Sequence, residues 1–278
     1  MTVQFEKTTG PVILKNGASL WLPANVIKGL VNLGEPDIYA ESTTQLYPLG
    51  AKLEFADGRV FRYGKFGVTS TTAPRGYTLY NGNYDPEVTS QADVDGFFGD
   101  LYVAAVVGQE YVDLEKATEY AENFFEDGLF VAFPTGTDYA NHLPGYRICG
   151  SEKGTGVYCR IYLESPLKAN ITVTDGVDAF KSIFSKLKVV ASIEYTTIVG
   201  VCMCSSMTAN SFGWIQRKGR CYTPQSATIG DGANERMVGA AGDGTITPLG
   251  ALGRQPLGYI TEETGADGYG NQYWLQLE

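Results

Sequence analysis

Nine aspartate-glycine or asparagine-glycine pairs punctuate this chain: Asn16-Gly17, Asp57-Gly58, Asn81-Gly82, Asp95-Gly96, Asp127-Gly128, Asp175-Gly176, Asp231-Gly232, Asp243-Gly244 and Asp267-Gly268. Two-residue hairpin turns place both central residues at positive φ. Glycine adopts that region without steric cost, and Asp or Asn tolerates it better than other side chains. A chain turned this often is expected to be all-β, a sandwich or barrel of antiparallel hairpins. Thirty-four glycines and twelve prolines among residues only 19% charged fit that reading better than a helical bundle.

The clearest hairpin is Leu53-Glu54-Phe55-Ala56, the turn Asp57-Gly58, then Arg59-Val60-Phe61-Arg62-Tyr63. Period-two alternation sets Phe61 and Tyr63 on one face and Arg62 on the other. Further strands are predicted at 101–107, 128–133, 157–163, 171–174, 195–203, 213–216 and 273–277. The nearly unbroken apolar runs at 101–107 and 197–201 suit strands covered on both faces. Only Asp113–Ala121 and Val177–Phe184 read as short helices. Residues 1–46 read as an extended arm with one hairpin at Asn16-Gly17, packed on the body or across a neighbouring chain. Residues 47–278 form the β-rich body, with two lobes divided near Ser165-Pro166.

The chemistry-bearing residues are sparse. The single histidine, His142, lies in a loop-like stretch; two-histidine metal sites lack their parts, and a serine or cysteine hydrolase would have to use His142 as its base. No Walker sequence, dinucleotide fingerprint or Gly-x-Ser-x-Gly elbow occurs. Cys202 and Cys204 share a predicted strand and point to one face. With Cys221 they allow a three-thiolate site, against which stands the commoner fate of buried thiols. Asp93-Val94-Asp95-Gly96 resembles part of a calcium loop, but Gln91 and Tyr102 occupy ligand positions. Glu126-Asp127 and Glu262-Glu263 are only sequence neighbours, whereas a glycosidase needs two carboxylates facing across a cleft. No catalytic residue, cofactor or metal is therefore assigned.

A net charge of -10 argues against general nucleic-acid binding, which draws its affinity from Lys and Arg. The basic run Arg217-Lys218-Gly219-Arg220 is the exception and reads as a solvated turn or a contact for an acidic surface. No apolar stretch approaches the roughly twenty residues of a membrane helix. The N-terminus lacks signal-peptide layout, and five cysteines cannot all pair within one chain. Synthesis in a reducing cytoplasm is expected, which would leave the sequon Asn170-Ile171-Thr172 unused.

Several blocks carry a resemblance. Tyr47-Pro48-Leu49-Gly50 followed by Ala56–Gly67 resembles the opening of capsid-associated structural proteins of tailed bacteriophages. Phe212-Gly213-Trp214-Ile215-Gln216-Arg217-Lys218-Gly219, then Gly242–Ile246, Leu257–Ile260 and Tyr273–Leu277, are similar to later segments of that group, while residues 85–200 depart from it. The resemblance implies a non-enzymatic decoration or cement protein on the outer surface of the virion. Its partners would be the major capsid protein and further copies of itself, a trimer being one possibility, with no direct nucleic-acid or membrane contact. Large interfaces favour aromatic residues and arginine, and the candidate interface residues are Trp21, Phe61, Tyr63, Trp214, Arg217, Lys218, Arg220 and Trp274. The alternative is a glycan-binding or host-adhesion module using Tyr77, Tyr80, Tyr84 and Tyr139.

Overall fold

The computed structural model describes residues 12–21, 36–67, 72–82, 96–115, 120–133, 145–191, 197–229, 236–249, 255–261 and 270–278. It is all-β, with antiparallel strand pairing throughout and no helix among the described residues. The chain divides into two compact units, one of Met1–Pro86 with Ile183–Glu278, the other of Glu87–Ser182. The second unit is thus an insertion between two halves of the first, and Ser165-Pro166 lies inside it.

With strands numbered in chain order, the first unit holds a twelve-stranded sheet. Its main path runs β1 (Val12–Ile13), β2 (Ser19–Trp21), β3 (Lys52–Glu54), β4 (Val60–Lys65), β16 (Phe212–Pro224), β20 (Gly270–Gln276), β19 (Pro256–Ile260), β17 (Met237–Ala240) and β18 (Ile246–Pro248). The described part of the predicted arm is therefore not loose: β1 and β2 form a hairpin, and β2 pairs with β3. A branch of β6 (Thr78–Asn81), β13 (Leu187–Val189) and β14 (Ile198–Cys202) joins through β14 to β16. The short strands β5 (Ala73–Pro74) and β15 (Ser206–Met207) pair separately.

Strand β16 is the spine of this unit. Its first half pairs with β4 and its second half with β20, and the register skips Arg217 between Gln216 and Lys218. Gly219 follows at φ 91°, a conformation suited to glycine, and a Cβ there would stand 2.9 Å from the Arg59 Cα. The predicted basic turn is thus a bulge within a strand, because a thirteen-residue strand needs a bend to change partners. One core lies under the first half, where Tyr47, Tyr63 and Trp214 form a triangle of rings with centroids 5.2 Å apart. Cys221, Tyr273, Leu275, Ile260 and Val238 share the other core. Every residue of β14 is buried because Val199 and Cys202 face the first core while Ile198 and Val201 face the second.

The second unit is a six-stranded sheet ordered β7 (Gly96–Gly99), β12 (Gly176–Phe180), β9 (Leu129–Phe133), β10 (Tyr146–Ser151), β11 (Tyr158–Leu163) and β8 (Tyr111–Glu115). Beyond β7 the chain returns to the far edge: Leu101 bridges Leu114, and the Tyr102 N–H donates to Asp113 O at 2.8 Å. The result is a small, partly closed barrel filled by alternate residues such as Val112, Leu114, Ile161, Val177 and Ala179.

The structure departs from the sequence expectation in three respects. Asp113–Glu115 and Gly176–Phe180 are strands, not helices, because their apolar residues fall at period two and fill the barrel. The segment 101–107 makes only isolated bridges at Leu101 and Ala105 and exposes Val103, Val106 and Val107. Ile171 makes the matching bridge before a turn, so 171–174 is not a strand either.

The turns differ as well. In none of the described Asx-Gly pairs do both residues have positive φ. Leu14–Ala18, Phe55–Arg59 and Ala241–Thr245 are instead three copies of one loop. In each, the first N–H donates to the fifth carbonyl (2.8, 2.9 and 2.8 Å) and the glycine N–H donates to the first carbonyl. The Asn16, Asp57 and Asp243 Oδ1 atoms accept from the fifth N–H at 2.9, 3.0 and 3.0 Å. Only the glycine is left-handed, at φ 79°, 84° and 84°, as in a type I turn closed by a glycine bulge. Each copy joins adjacent strands, β1–β2, β3–β4 and β17–β18.

Candidate binding face

Strand alternation gives β16, β20, β19 and β17 two different faces. One carries Cys221, Tyr273, Ile260 and Val238 into the core. On the other, direct register pairs align Arg220 with Trp274, Trp274 with Tyr259, and Tyr259 with Met237. Directly paired residues project to the same side, so these four form a row across four strands. Tyr222 and Gln272, the next pair along the same face, form a second row beside it. Tyr222 is 55% exposed, Met237 41% and Tyr259 40%, and Trp274 is half-buried.

At the β16 end the face opens into a cleft of about 390 Å³. Tyr39, Asp57, Arg59, Arg220, Tyr222 and Gln272 line it, with Met203, Gln216 and Cys221 also contributing. The Asp57-Gly58 turn supplies one wall. Asp57 Oδ2 accepts from Arg59 Nε at 2.7 Å, and the guanidinium lies 5.1 Å from the Phe55 ring centroid and 5.8 Å from that of Phe61. Tyr39 is held by Arg75, whose guanidinium sits 4.8 Å from its ring while donating from Nε to Met203 O at 2.9 Å. Gln216 is buried and donates from Nε2 to Lys218 O and Arg220 O, bracing the bulge that aims Arg220 outward. Its volume falls within the range of about 300–1,000 Å³ common to small-molecule sites, and its lining mixes aromatic and polar side chains.

The candidate interface residues separate sharply. Phe61, Tyr63 and Trp214 are core side chains, each no more than 2% exposed, and so offer no surface to a partner. Their aromatic character serves packing, with the Tyr63 hydroxyl also accepting from Leu46 N–H at 3.3 Å. Burial pushes that phenol up to about 12. Arg217 is half-buried in a clamp: its Nη2 donates to Leu277 O at 2.7 Å, and it shares the Glu278 carboxylate with Arg62 at 3.5 and 2.5 Å. Desolvation lowers its pKa, with Glu278 acting against that shift. Lys218 is half-buried within the strand. Trp21 is exposed at the end of β2, with Lys52 Nζ 5.8 Å from its ring. Only Arg220 and Trp274 come together.

Sequence reasoning missed Tyr39, Arg59, Tyr222, Tyr259, Met237 and Gln272. For the strand residues a signal existed, since Tyr222 and Trp274 alternate with Cys221 and Tyr273. Nothing local marked Tyr39 or Arg59.

The other chemical candidates do not assemble. Among the described residues no group of His, Cys, Asp or Glu could hold a metal ion. The five cysteines are free thiols. Cys202 and Cys204 lie in one core and Cys221 in the other, so no three-thiolate site forms. Burial raises all three thiol pKa values, that of Cys221 to about 12. Asp127 is ion-paired with Arg147 at 2.5 Å, and Glu126 is pushed up to about 7 by burial and then by the neighbouring Asp127. His142, Tyr84, Tyr139, Asp93, Asp95, Glu262 and Glu263 lie outside the described residues. Tyr77 and Tyr80 are half-buried. No protein-family model, curated protein or solved structure matches the chain.

Proposed function

We propose that this chain is a non-enzymatic structural protein of a bacteriophage virion, seated on the outer capsid surface, which it decorates or stabilises. Its partners would be the major capsid protein and further copies of itself, after synthesis in the host cytoplasm. One observation carries the reading. Apart from Tyr47–Gly50, which precedes β3, the blocks that resemble phage capsid-associated proteins are scattered in sequence but contiguous in one sheet. Ala56–Gly67 covers the β3–β4 turn and β4, Phe212–Gly219 opens β16, and Gly242–Ile246 includes the β17–β18 turn. Leu257–Ile260 lies in β19, and Tyr273–Leu277 covers most of β20 and the residue beyond it. None lies in Glu87–Ser182, the inserted unit. A surface lobe carried as an insertion suits a particle protein, because its attachment can be kept while the lobe varies.

Mass spectrometry of gradient-purified virions tests this directly. The protein should appear in high copy number, comparable to a surface lattice component. Its absence from intact particles would overturn the reading.

A further inference from the structure

Beyond a role in the particle, we infer that the cleft and the adjoining aromatic row bind an anionic carbohydrate chain. A sugar ring presents an apolar face of C–H groups and an edge of hydroxyls. It is held by a flat aromatic surface beneath and by charged or amide groups beside it. The cleft supplies both. Tyr39 and Tyr222 offer exposed rings, while Arg59, Arg220, Asp57 and Gln272 offer donors and acceptors at its walls. Arg59 is already oriented by Asp57 and by the two phenylalanine rings behind it, so less freedom is lost when a ligand arrives.

Charge selects the kind of sugar. The ionisable side chains of opposite sign in the cleft are two arginines against one aspartate, in a chain of net charge -10. A carboxylate-bearing residue is therefore favoured over a neutral one, through charge-assisted hydrogen bonds to guanidinium. Length follows from the sheet. From Arg220 through Trp274 and Tyr259 to Met237 there are three strand-to-strand steps, roughly 14 Å at ~4.8 Å each. An oligosaccharide can leave the cleft and continue over the row. A flat protein surface would cover the row but not fill the cleft.

The test uses the isolated full-length protein, so its outcome is independent of whether the protein is found on particles. Oligogalacturonate is titrated by calorimetry, with maltooligosaccharides of equal length as the neutral control. The anionic oligomer should bind at least tenfold more tightly, and its affinity should fall as salt rises. Arg220→Gln and Tyr222→Ala, both at exposed positions, should each weaken it by at least tenfold without moving the melting temperature. Failure to bind oligogalacturonate would overturn the inference, as would equal affinity for the neutral oligomer or indifference to both substitutions. A concentration-dependent dimer abolished by Tyr259→Ala, without sugar binding, would instead assign the face to a second copy.

Discussion

Two glycines from the same sequence motif should both suffer from alanine, but to different degrees and for different reasons. Gly58 closes the β3–β4 turn at φ 84°, and an added Cβ would meet nothing within 4 Å. Gly128 has no left-handed requirement, but its Cβ would lie 1.9 Å from the Phe180 carbonyl oxygen and 2.8 Å from that of Phe125. Since Cβ contacts under 3.0 Å essentially do not occur, the backbones must part by at least 1.1 Å, the difference between 3.0 and 1.9 Å. That movement strains the Leu129–Phe180 pairing of β9 with β12. It also strains the hydrogen bonds from Gly128 N to Phe125 O (3.0 Å) and from Ile148 N to Gly128 O (2.9 Å). Overpacking at about 1–3 kcal/mol, with two or three weakened bonds at about 0.5–1.5 kcal/mol each, predicts a loss of about 2–7 kcal/mol for Gly128→Ala. Gly58→Ala should cost about 1–2 kcal/mol, the left-handed penalty alone. Asparagine tolerates that conformation, so Gly58→Asn should recover much of the loss, whereas Gly128→Asn should be as harmful as alanine because volume is the obstacle. Urea denaturation gives the free energies, and hydrogen exchange on peptides from Glu87–Ser182 localises the Gly128 effect. A Gly128→Ala protein within 1 kcal/mol of the parent, or a Gly58→Asn protein no better than Gly58→Ala, would refute the reasoning.

The pH dependence has a definite sign. Glu126 rises from 4.5 to about 7 on folding, so the folded state favours its protonated form. The stability this contributes is complete below pH 4.5 and is lost as pH rises through 7. Screening of a partly exposed group reduces the effect to about 1 kcal/mol, and Glu126→Gln should stabilise by that amount at pH 8 but not at pH 4. Equal denaturation midpoints for the two proteins at pH 8 would count against this. Glu278→Ala removes the carboxylate shared by Arg62 and Arg217 and leaves a half-buried guanidinium uncompensated, a loss of about 1–2 kcal/mol in chemical denaturation. Thiol titration with a chromogenic disulfide at pH 8 should find Cys159, Cys202, Cys204 and Cys221 unreactive in the native protein and all five thiols reactive in denaturant. Burial both shields these thiols and raises their pKa. Rapid native modification of Cys202 would contradict the core assignment.

Much of the fold was legible from local chemistry. An Asx residue before glycine, flanked by alternating apolar residues, sufficed to locate the hairpins at Asn16-Gly17, Asp57-Gly58 and Asp243-Gly244, since that turn is stabilised within five residues. The helices expected at Asp113 and Val177 show the limit. Helix propensity at Asp113 is good but is only a weak guide, and nonlocal pairing with β11 and β9 decided for strand. The apolar run at 101–107 misled for a related reason. It touches β8 only at Leu101 and then runs beside Ile171, which lies in no strand, so only Leu101 and Ala105 find partners.

The candidate site marks the same division. Alternation by itself determined that Phe61 and Arg62, or Tyr273 and Trp274, must face opposite ways, because successive strand residues always do. It could not determine which side would be covered. Tertiary structure placed Phe61, Tyr63 and Trp214 inside and left Tyr222, Tyr259 and part of Trp274 outside, since a sheet face is core only where another layer packs on it. The cleft depends still more on nonlocal structure. Tyr39, Asp57, Arg220 and Gln272 become neighbours only because β16 bends at its bulge and pairs with β4 along one half and β20 along the other. The turns were written in the sequence; the surface they support was decided by which distant strands found each other.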